Sequence, residues 1–221
     1  MGASDGRAPG VRIGGQRRPE RVLHSRAPHV PVRTMKASTR YDTPTLDELP
    51  DDIRSQIETV QEKSGFVPNV FLVLARRPDE FRAFFAYHDA LMMRAGGLSA
   101  AEKEMIVVAT SAANDCTYCV IAHGAILRIR AKDSTLADLV AINHRAAPVT
   151  PRQRAILDFA VKMARTPEAL EEGDYDALAA HAVSPEDIWD IAGITGLFAL
   201  SNRMAHVTGM VPNDQFYTLG R

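Results

Sequence analysis

Two cysteines lie three residues apart, at Cys116 and Cys119, and they are the only cysteines in the 221 residues. Two cysteines placed at random would fall at this spacing in about one chain in 110, so chance explains the pair poorly. A thiol–disulfide couple needs one sulfur with thiolate character and a second that can reach its oxidised form. The spacing therefore favours redox chemistry.

Two other uses of such a pair can be weighed from the neighbouring residues. Covalent haem attachment needs a histidine directly after the second cysteine, and Val120 stands there. A structural zinc site needs four ligands, and only His123 and a distant carboxylate remain to complete one. Zinc binding stays open as an alternative, as does a redox or zinc sensor whose helices repack when the pair changes state.

The residues around the pair predict a helix that positions it. If Asp115 is the N-cap, Cys116 lies in the first turn, where the helix dipole and free N–H groups favour a thiolate. Cys119 follows one turn later. His123 comes four residues after Cys119, on the same side of the helix, and can accept its proton.

Glu104 is the fourth candidate site residue. It precedes an apolar run, residues 105–109, on a helix predicted to start after Ser99 and to fold back at Asn114. A carboxylate in an apolar interface is costly unless it is paired. Two interpretations remain: a carboxylate facing the cysteine helix, or a solvated acid in the first turn.

The rest of the chain predicts an all-α protein with about seven to nine helices, in one domain over residues 41–221. Three helix starts carry a capping box: Ser99 with Glu102, Thr150 with Gln153 and Ser184 with Asp187. No segment alternates between apolar and polar residues as a strand would.

Residues 1–40 differ in composition from the rest. They carry nine basic and two acidic residues, whereas the whole chain has a formal charge of −1. A segment with so little apolar surface predicts disorder, and Met35 is a plausible true start. No stretch is long and apolar enough for a spanning helix, and the balanced charge argues against nucleic-acid binding. We expect a cytoplasmic protein with no membrane partner.

The pattern Glu104, eleven residues, Cys116, two residues, Cys119, three residues, His123 resembles the signature of alkylhydroperoxidase D-like enzymes, in the carboxymuconolactone decarboxylase-like superfamily. Residues 65–77, 109–114 and 188–203 resemble its peroxidase-related subgroup. The resemblance implies that Cys119 is the peroxidatic sulfur and Cys116 the resolving one, with Glu104 and His123 as a proton relay. Tyr118 departs from the namesake enzyme, which has a histidine there.

The resemblance implies a thiol-dependent hydroperoxide reductase. It needs no metal, flavin or nucleotide, and an external dithiol of lipoyl or thioredoxin type would supply its electrons. A proton-transfer enzyme of the carboxymuconolactone decarboxylase type is the remaining alternative, although such members need no cysteine pair.

Two expectations concern architecture. An offset of 83 residues maps the four site residues onto Asp187, Ala199, Asn202 and His206, which indicates either an internal duplication of a helical hairpin or coincidence. The helix after Ser184 is apolar over more than one stripe, and so is the segment 81–91. These faces predict a homo-oligomer: a dimer, a trimer or a hexamer.

Overall fold

The computed structural model describes residues 1–2 and 40–221, and residues 40–221 contain ten α-helices and no β-strand. The helices are α1 (Asp51–Ser64), α2 (Asn69–Ala75), α3 (Pro78–Met92), α4 (Ala100–Ala113), α5 (Thr117–Ala131), α6 (Leu136–Asn143), α7 (Pro151–Arg165), α8 (Glu172–Ala179), α9 (Pro185–Thr208) and α10 (Gln215–Thr218). The all-α prediction is confirmed. The predicted disorder of the basic N-terminal segment lies outside the described residues.

The three predicted capping boxes are all present. Ser99, Thr150 and Ser184 are the N-caps of α4, α7 and α9, and each accepts a hydrogen bond from the backbone N–H three residues later. Proline occupies the first turn of α7 and of α9, where its missing N–H leaves no intrahelical bond unmade. These local signals set the starts of the three helices that contact one another at the centre of the fold.

Helix α4 is the central element, and its ten successive residues from Glu102 to Ser111 are all buried. It contacts α5, α6, α7 and α9. Burying a polar side chain on such a helix is costly unless it has a hydrogen-bonding or charged partner. Lys103, for example, donates from Nζ to the carbonyl oxygens of Leu91 at 2.8 Å and Arg94 at 2.7 Å, near the end of α3.

Arg152 joins the starts of α4 and α9 through their capping carboxylates. Its guanidinium lies 3.1 Å from Glu102 and 3.8 Å from Asp187, and it also donates to the carbonyl oxygen of Gly97 at 3.1 Å. Both carboxylates therefore serve a helix cap and an ion pair at once. This arrangement holds α9, which carries part of the candidate site, in register with α4.

The predictions of helix number and of a repeated hairpin need correction. There are ten helices in residues 40–221 rather than seven to nine, because α2, α8 and α10 have four to eight residues and are too short to show a helical period. The four positions at the 83-residue offset lie along one uninterrupted helix, α9, whereas Glu104 and Cys119 lie on two helices joined by a turn. This offset does not mark a second hairpin.

No helix in the described part of the chain combines the length and apolar character that a membrane span requires.

Candidate active site

Helices α4 and α5 form an antiparallel hairpin whose tight turn positions the cysteines. The N–H of Cys116 donates to the carbonyl oxygen of Ser111 at 2.9 Å, and that of Asp115 donates to Ala112 at 3.1 Å. This is the hydrogen-bond pattern of a Schellman motif, which requires a left-handed residue at the turn. Asp115 fills that place with φ 54°, a conformation that aspartate tolerates better than most side chains.

Cys116 is itself the N-cap of α5, one position earlier in the helix than predicted. Asp115 does not cap, because its left-handed backbone belongs to the end of α4. The Sγ atom of Cys116 accepts a hydrogen bond from the backbone N–H of Cys119 at 3.4 Å. A sulfur thus takes the role that a serine or aspartate oxygen usually plays at a helix start.

The two thiols are free and buried, and their side chains are hydrogen-bonded to each other. A hydrogen bond from the Cys119 side chain is the main reason why the pKa of Cys116 falls to about 6; the Cys119 backbone N–H, the nearby His206 and the amide of Asn202 add to it. The same hydrogen bond, together with burial, raises the pKa of Cys119. Near neutral pH the pair therefore holds one proton, with the negative charge on Cys116.

Glu104 and His123 meet across the hairpin. Oε2 of Glu104 lies 2.8 Å from Nδ1 of His123, and both side chains are at least 85 % buried. The interpretation of Glu104 as a carboxylate facing the cysteine helix is therefore correct, and the solvated alternative is not. The ring of His123 also packs edge-on against Phe198 of α9, with centroids 4.6 Å apart.

Helix α9 supplies polar contacts that the sequence analysis did not assign to the site. The hydroxyl of Ser201 lies 3.7 Å from Sγ of Cys119. Asn202 accepts from the amide of Asn114 at 2.9 Å and donates to the hydroxyl of Ser111 at 3.0 Å, so it ties α9 to the C-terminal end of α4, just before the hairpin turn. The sequence signal that could have indicated this role is the pair of successive polar residues, Ser201 and Asn202, in an otherwise apolar stretch of the helix.

Tyr118, which stands between the cysteines in sequence, is directed away from them toward α2. Its hydroxyl accepts a hydrogen bond from the backbone N–H of Val70 at 3.0 Å. Burial raises the pKa of this phenol, so it stays protonated throughout the physiological range. The residue at this position links the cysteine helix to the start of α2.

His88 of α3 is a further, partly buried histidine near the site. Its ring packs against Phe198, the same ring that His123 contacts, and its Nδ1 lies 2.9 Å from a carboxylate oxygen of Asp89. Burial lowers the pKa of His88, so it is neutral at physiological pH. It therefore adds no positive charge beside the Glu104–His123 pair.

In the described residues, no three side chains of His, Cys, Asp or Glu are grouped so as to hold a metal ion. The buried carboxylate of Glu104 is already paired with the imidazole of His123. The site therefore has the parts for proton and sulfur chemistry: two thiols that share a proton, and a carboxylate–imidazole pair on the same hairpin.

Residues 78–162 match the model of the carboxymuconolactone decarboxylase family. A peroxidase-related protein with an alkylhydroperoxidase AhpD core from Ralstonia eutropha JMP134 is 61% identical, with 83% of this chain and 97% of that chain covered and a TM-score of 0.82. A peroxidase-related protein from Silicibacter sp. TM1040 is 42% identical, over 84% of this chain and 97% of that one, with a TM-score of 0.80.

The debrominase Bmp8 shares the fold at 19% identity, with 84% of this chain and 96% of that chain covered and a TM-score of 0.69. No curated protein matches the sequence. The two peroxidase-related structures, at 61% and 42% identity over nearly their whole lengths, decide the assignment. The chain belongs to the AhpD-like, peroxidase-related branch of the carboxymuconolactone decarboxylase family.

Proposed function

We propose that this protein is a thiol-dependent peroxidase that reduces a hydroperoxide with the Cys119/Cys116 pair. The observation that carries the proposal is a pair of free, buried thiols at one helix start, where the N–H of Cys119 donates to Sγ of Cys116 at 3.4 Å, on the same hairpin as a buried carboxylate–imidazole pair. A buried structural cysteine has no need of a second thiol or of a base. A thiol that cycles through a disulfide needs both.

The first chemical step is attack by the Cys119 thiolate on the O–O bond of the hydroperoxide. Cys119 loses its proton within the pair or to Nε2 of His123, and the sulfur takes up the terminal oxygen as a sulfenic acid. The released alkoxide takes that proton and leaves as an alcohol. Two electrons pass from sulfur to the peroxide.

The second step forms the disulfide. The Cys116 thiolate attacks the sulfenic sulfur of Cys119, and hydroxide leaves as water after protonation. The low pKa of Cys116 suits this role, because the resolving sulfur is already deprotonated when the sulfenic acid appears. An external dithiol, of lipoyl or thioredoxin type, then reduces the disulfide and is itself oxidised.

The location and the donor belong to the same proposal. We place the reaction in the cytoplasm, where glutathione and thioredoxin keep thiol pairs available in the reduced form. The redox step occurs between sulfur and oxygen, so the proposed cycle uses no metal, flavin or nucleotide.

Two single-cysteine variants test the roles. After one equivalent of peroxide, Cys116→Ser should retain a sulfenic acid on Cys119 that dimedone traps, because the resolving sulfur is absent. Cys119→Ser should consume no peroxide beyond the background of the uncatalysed reaction. Dimedone adducts on Cys116 alone would reverse the roles, and intact thiols in the wild-type protein would refute the proposal.

A further inference from the structure

A small cavity opens beside Cys116, and His123 is not among the residues that line it. It has a volume of about 220 Å³ and is lined by Cys116, Thr117, Tyr118, Ala205, His206, Gly209 and Met210. Cys119 does not line it, because that sulfur faces Ser201 of α9. Of the two sulfurs, Cys116 is therefore the one that a thiol entering this cavity meets.

His206 stands at the exposed edge of the cavity in a defined tautomer. Its Nε2 lies 3.0 Å from the carbonyl oxygen of Asn114, and a carbonyl can only accept, so Nε2 carries a hydrogen. Nδ1 of the neutral ring is then an acceptor, and no described residue bonds to it. The other titratable groups that line the cavity are Cys116 and Tyr118.

We propose that His206 is the general base of the reductive half of the cycle, accepting the proton of a donor thiol as that thiol attacks Cys116 of the oxidised pair. This inference rests on the proposed function, since it assigns the second half of the same cycle. A thiol at neutral pH is mostly protonated and a poor nucleophile. A base at the mouth of the cavity takes the proton of the thiol and so generates the reactive thiolate.

The exchange balances in two steps. The donor sulfur bonds to Cys116, the Cys116–Cys119 bond breaks, Cys119 leaves with the electron pair as a thiolate, and Nδ1 of His206 holds the first proton of the donor. The second donor thiol gives its proton to Cys119 and attacks the first donor sulfur, Cys116 leaves as a thiolate, and His206 releases its proton to solvent. The donor is oxidised to its disulfide, and the protein recovers both sulfurs in reduced form.

The site already favours this outcome. Once it holds a proton, His206 stabilises negative charge on Cys116 in the reduced pair, and the hydrogen bond from the N–H of Cys119 does the same. The second step therefore ends in the most stable ionisation state of the pair. The first step releases Cys119, a poorer leaving group, and is the step that a base must assist.

The test isolates the reductive step by preparing the disulfide with diamide, without peroxide. The oxidised protein is then reduced by dithiothreitol at pH 7, the reaction is quenched at successive times, and the free thiols are counted. His206→Gln and His206→Ala should slow the second-order reduction by about 10²-fold, the usual contribution of a general base. Added imidazole should accelerate reduction of His206→Ala and leave the wild type unchanged.

The matched control is Arg203→Gln, which removes a positive charge without touching the cavity. Arg203 is exposed and lies one turn earlier on α9. The variant should be reduced at the wild-type rate. A second probe is Thr117→Trp, which narrows the cavity from an exposed position and should also slow reduction. Wild-type rates in the His206 variants, or in Thr117→Trp, would overturn the inference.

A monothiol identifies which of the two cysteines the donor thiol attacks. Oxidised wild type treated with glutathione should carry the mixed disulfide on Cys116, and a mixed disulfide on Cys119 would overturn the inference. Because no peroxide is used, a failure of the peroxidase proposal appears separately, as intact thiols after peroxide treatment. Loss of His206-dependent reduction and loss of peroxide reactivity are thus different observations.

Discussion

Glu104 and His123 lie nineteen residues apart in sequence, and their side chains meet at 2.8 Å between Oε2 and Nδ1. An ionised carboxylate can only accept a hydrogen bond, so Nδ1 of His123 carries the hydrogen and Nε2 is left as the acceptor. The pair thus orients the ring and selects the tautomer that is able to take a proton from a thiol. In the proposed cycle the carboxylate acts on the chemistry through the imidazole.

Glu104→Gln should lower the rate of peroxide reduction by about 10²-fold, because a neutral amide neither selects the tautomer nor stabilises the imidazolium. Asp158→Asn is a matched control, since Asp158 pairs with His144 at 2.9 Å in another part of the fold. Peroxide consumption with dithiothreitol as reductant measures both. Equal losses in the two variants would show a general effect on folding rather than a role for Glu104.

The low pKa of Cys116 should depend on the side chain at position 119. Its thiolate forms as pH rises through about 6, and the hydrogen bond from the Cys119 side chain is the largest cause. Cys119→Ser keeps a donor and should keep the pKa low, whereas Cys119→Ala removes it and should raise the pKa. The pH dependence of alkylation by iodoacetamide reports both values. Identical profiles would assign the shift to the backbone N–H and His206 instead.

Tyr118→Phe should destabilise the fold without changing the order of the two thiol pKa values. The change leaves the backbone N–H of Val70 without its partner, at a cost of about 1–3 kcal/mol. For a domain of this size each kcal/mol lowers the melting temperature by about 2–4 °C. Thermal unfolding measures the loss, and an unchanged melting temperature would show that water replaces the hydroxyl at no cost.

The outer face of α9 should form a contact between copies of this chain. Trp189 is 73% exposed, and Leu200 and Val207 are each at least half exposed. Large exposed apolar side chains on one helix are typical of interfaces. Leu200→Glu should lower the particle mass in light scattering, whereas Ile142→Glu, on the exposed surface of α6, should not. A wild-type particle near 24.2 kDa would contradict the expectation.

A chain that starts at Met35 should keep the melting temperature and activity of the full chain. The ten helices and every residue of the candidate site lie after this point, and residues 1–34 have no apolar period with which to dock. Differential scanning calorimetry and peroxide turnover on the two lengths provide the comparison. A loss of several degrees would show that the segment contributes to the fold.

Local signals were enough to predict much of this protein. Ser99, Thr150 and Ser184 mark helix starts, because a capping box is satisfied by residues three apart and needs no tertiary partner. The spacing of Cys116, Cys119 and His123 on one helix was readable for the same reason. Short helices such as α2 and α10 were not, because fewer than two turns show no period.

Features that depend on contacts between side chains of different helices were decided by tertiary packing. Whether Glu104 was solvated or paired could not be settled by spacing, since its partner comes from the other arm of the hairpin. Asp115 resembles an N-cap in sequence, but the turn places it in the left-handed region and leaves the cap to Cys116. Ser201 and His206 reach the two sulfurs only because α9 packs against α4 and α5. Long-range contacts of this kind depend on where whole helices lie, and no local pattern encodes them.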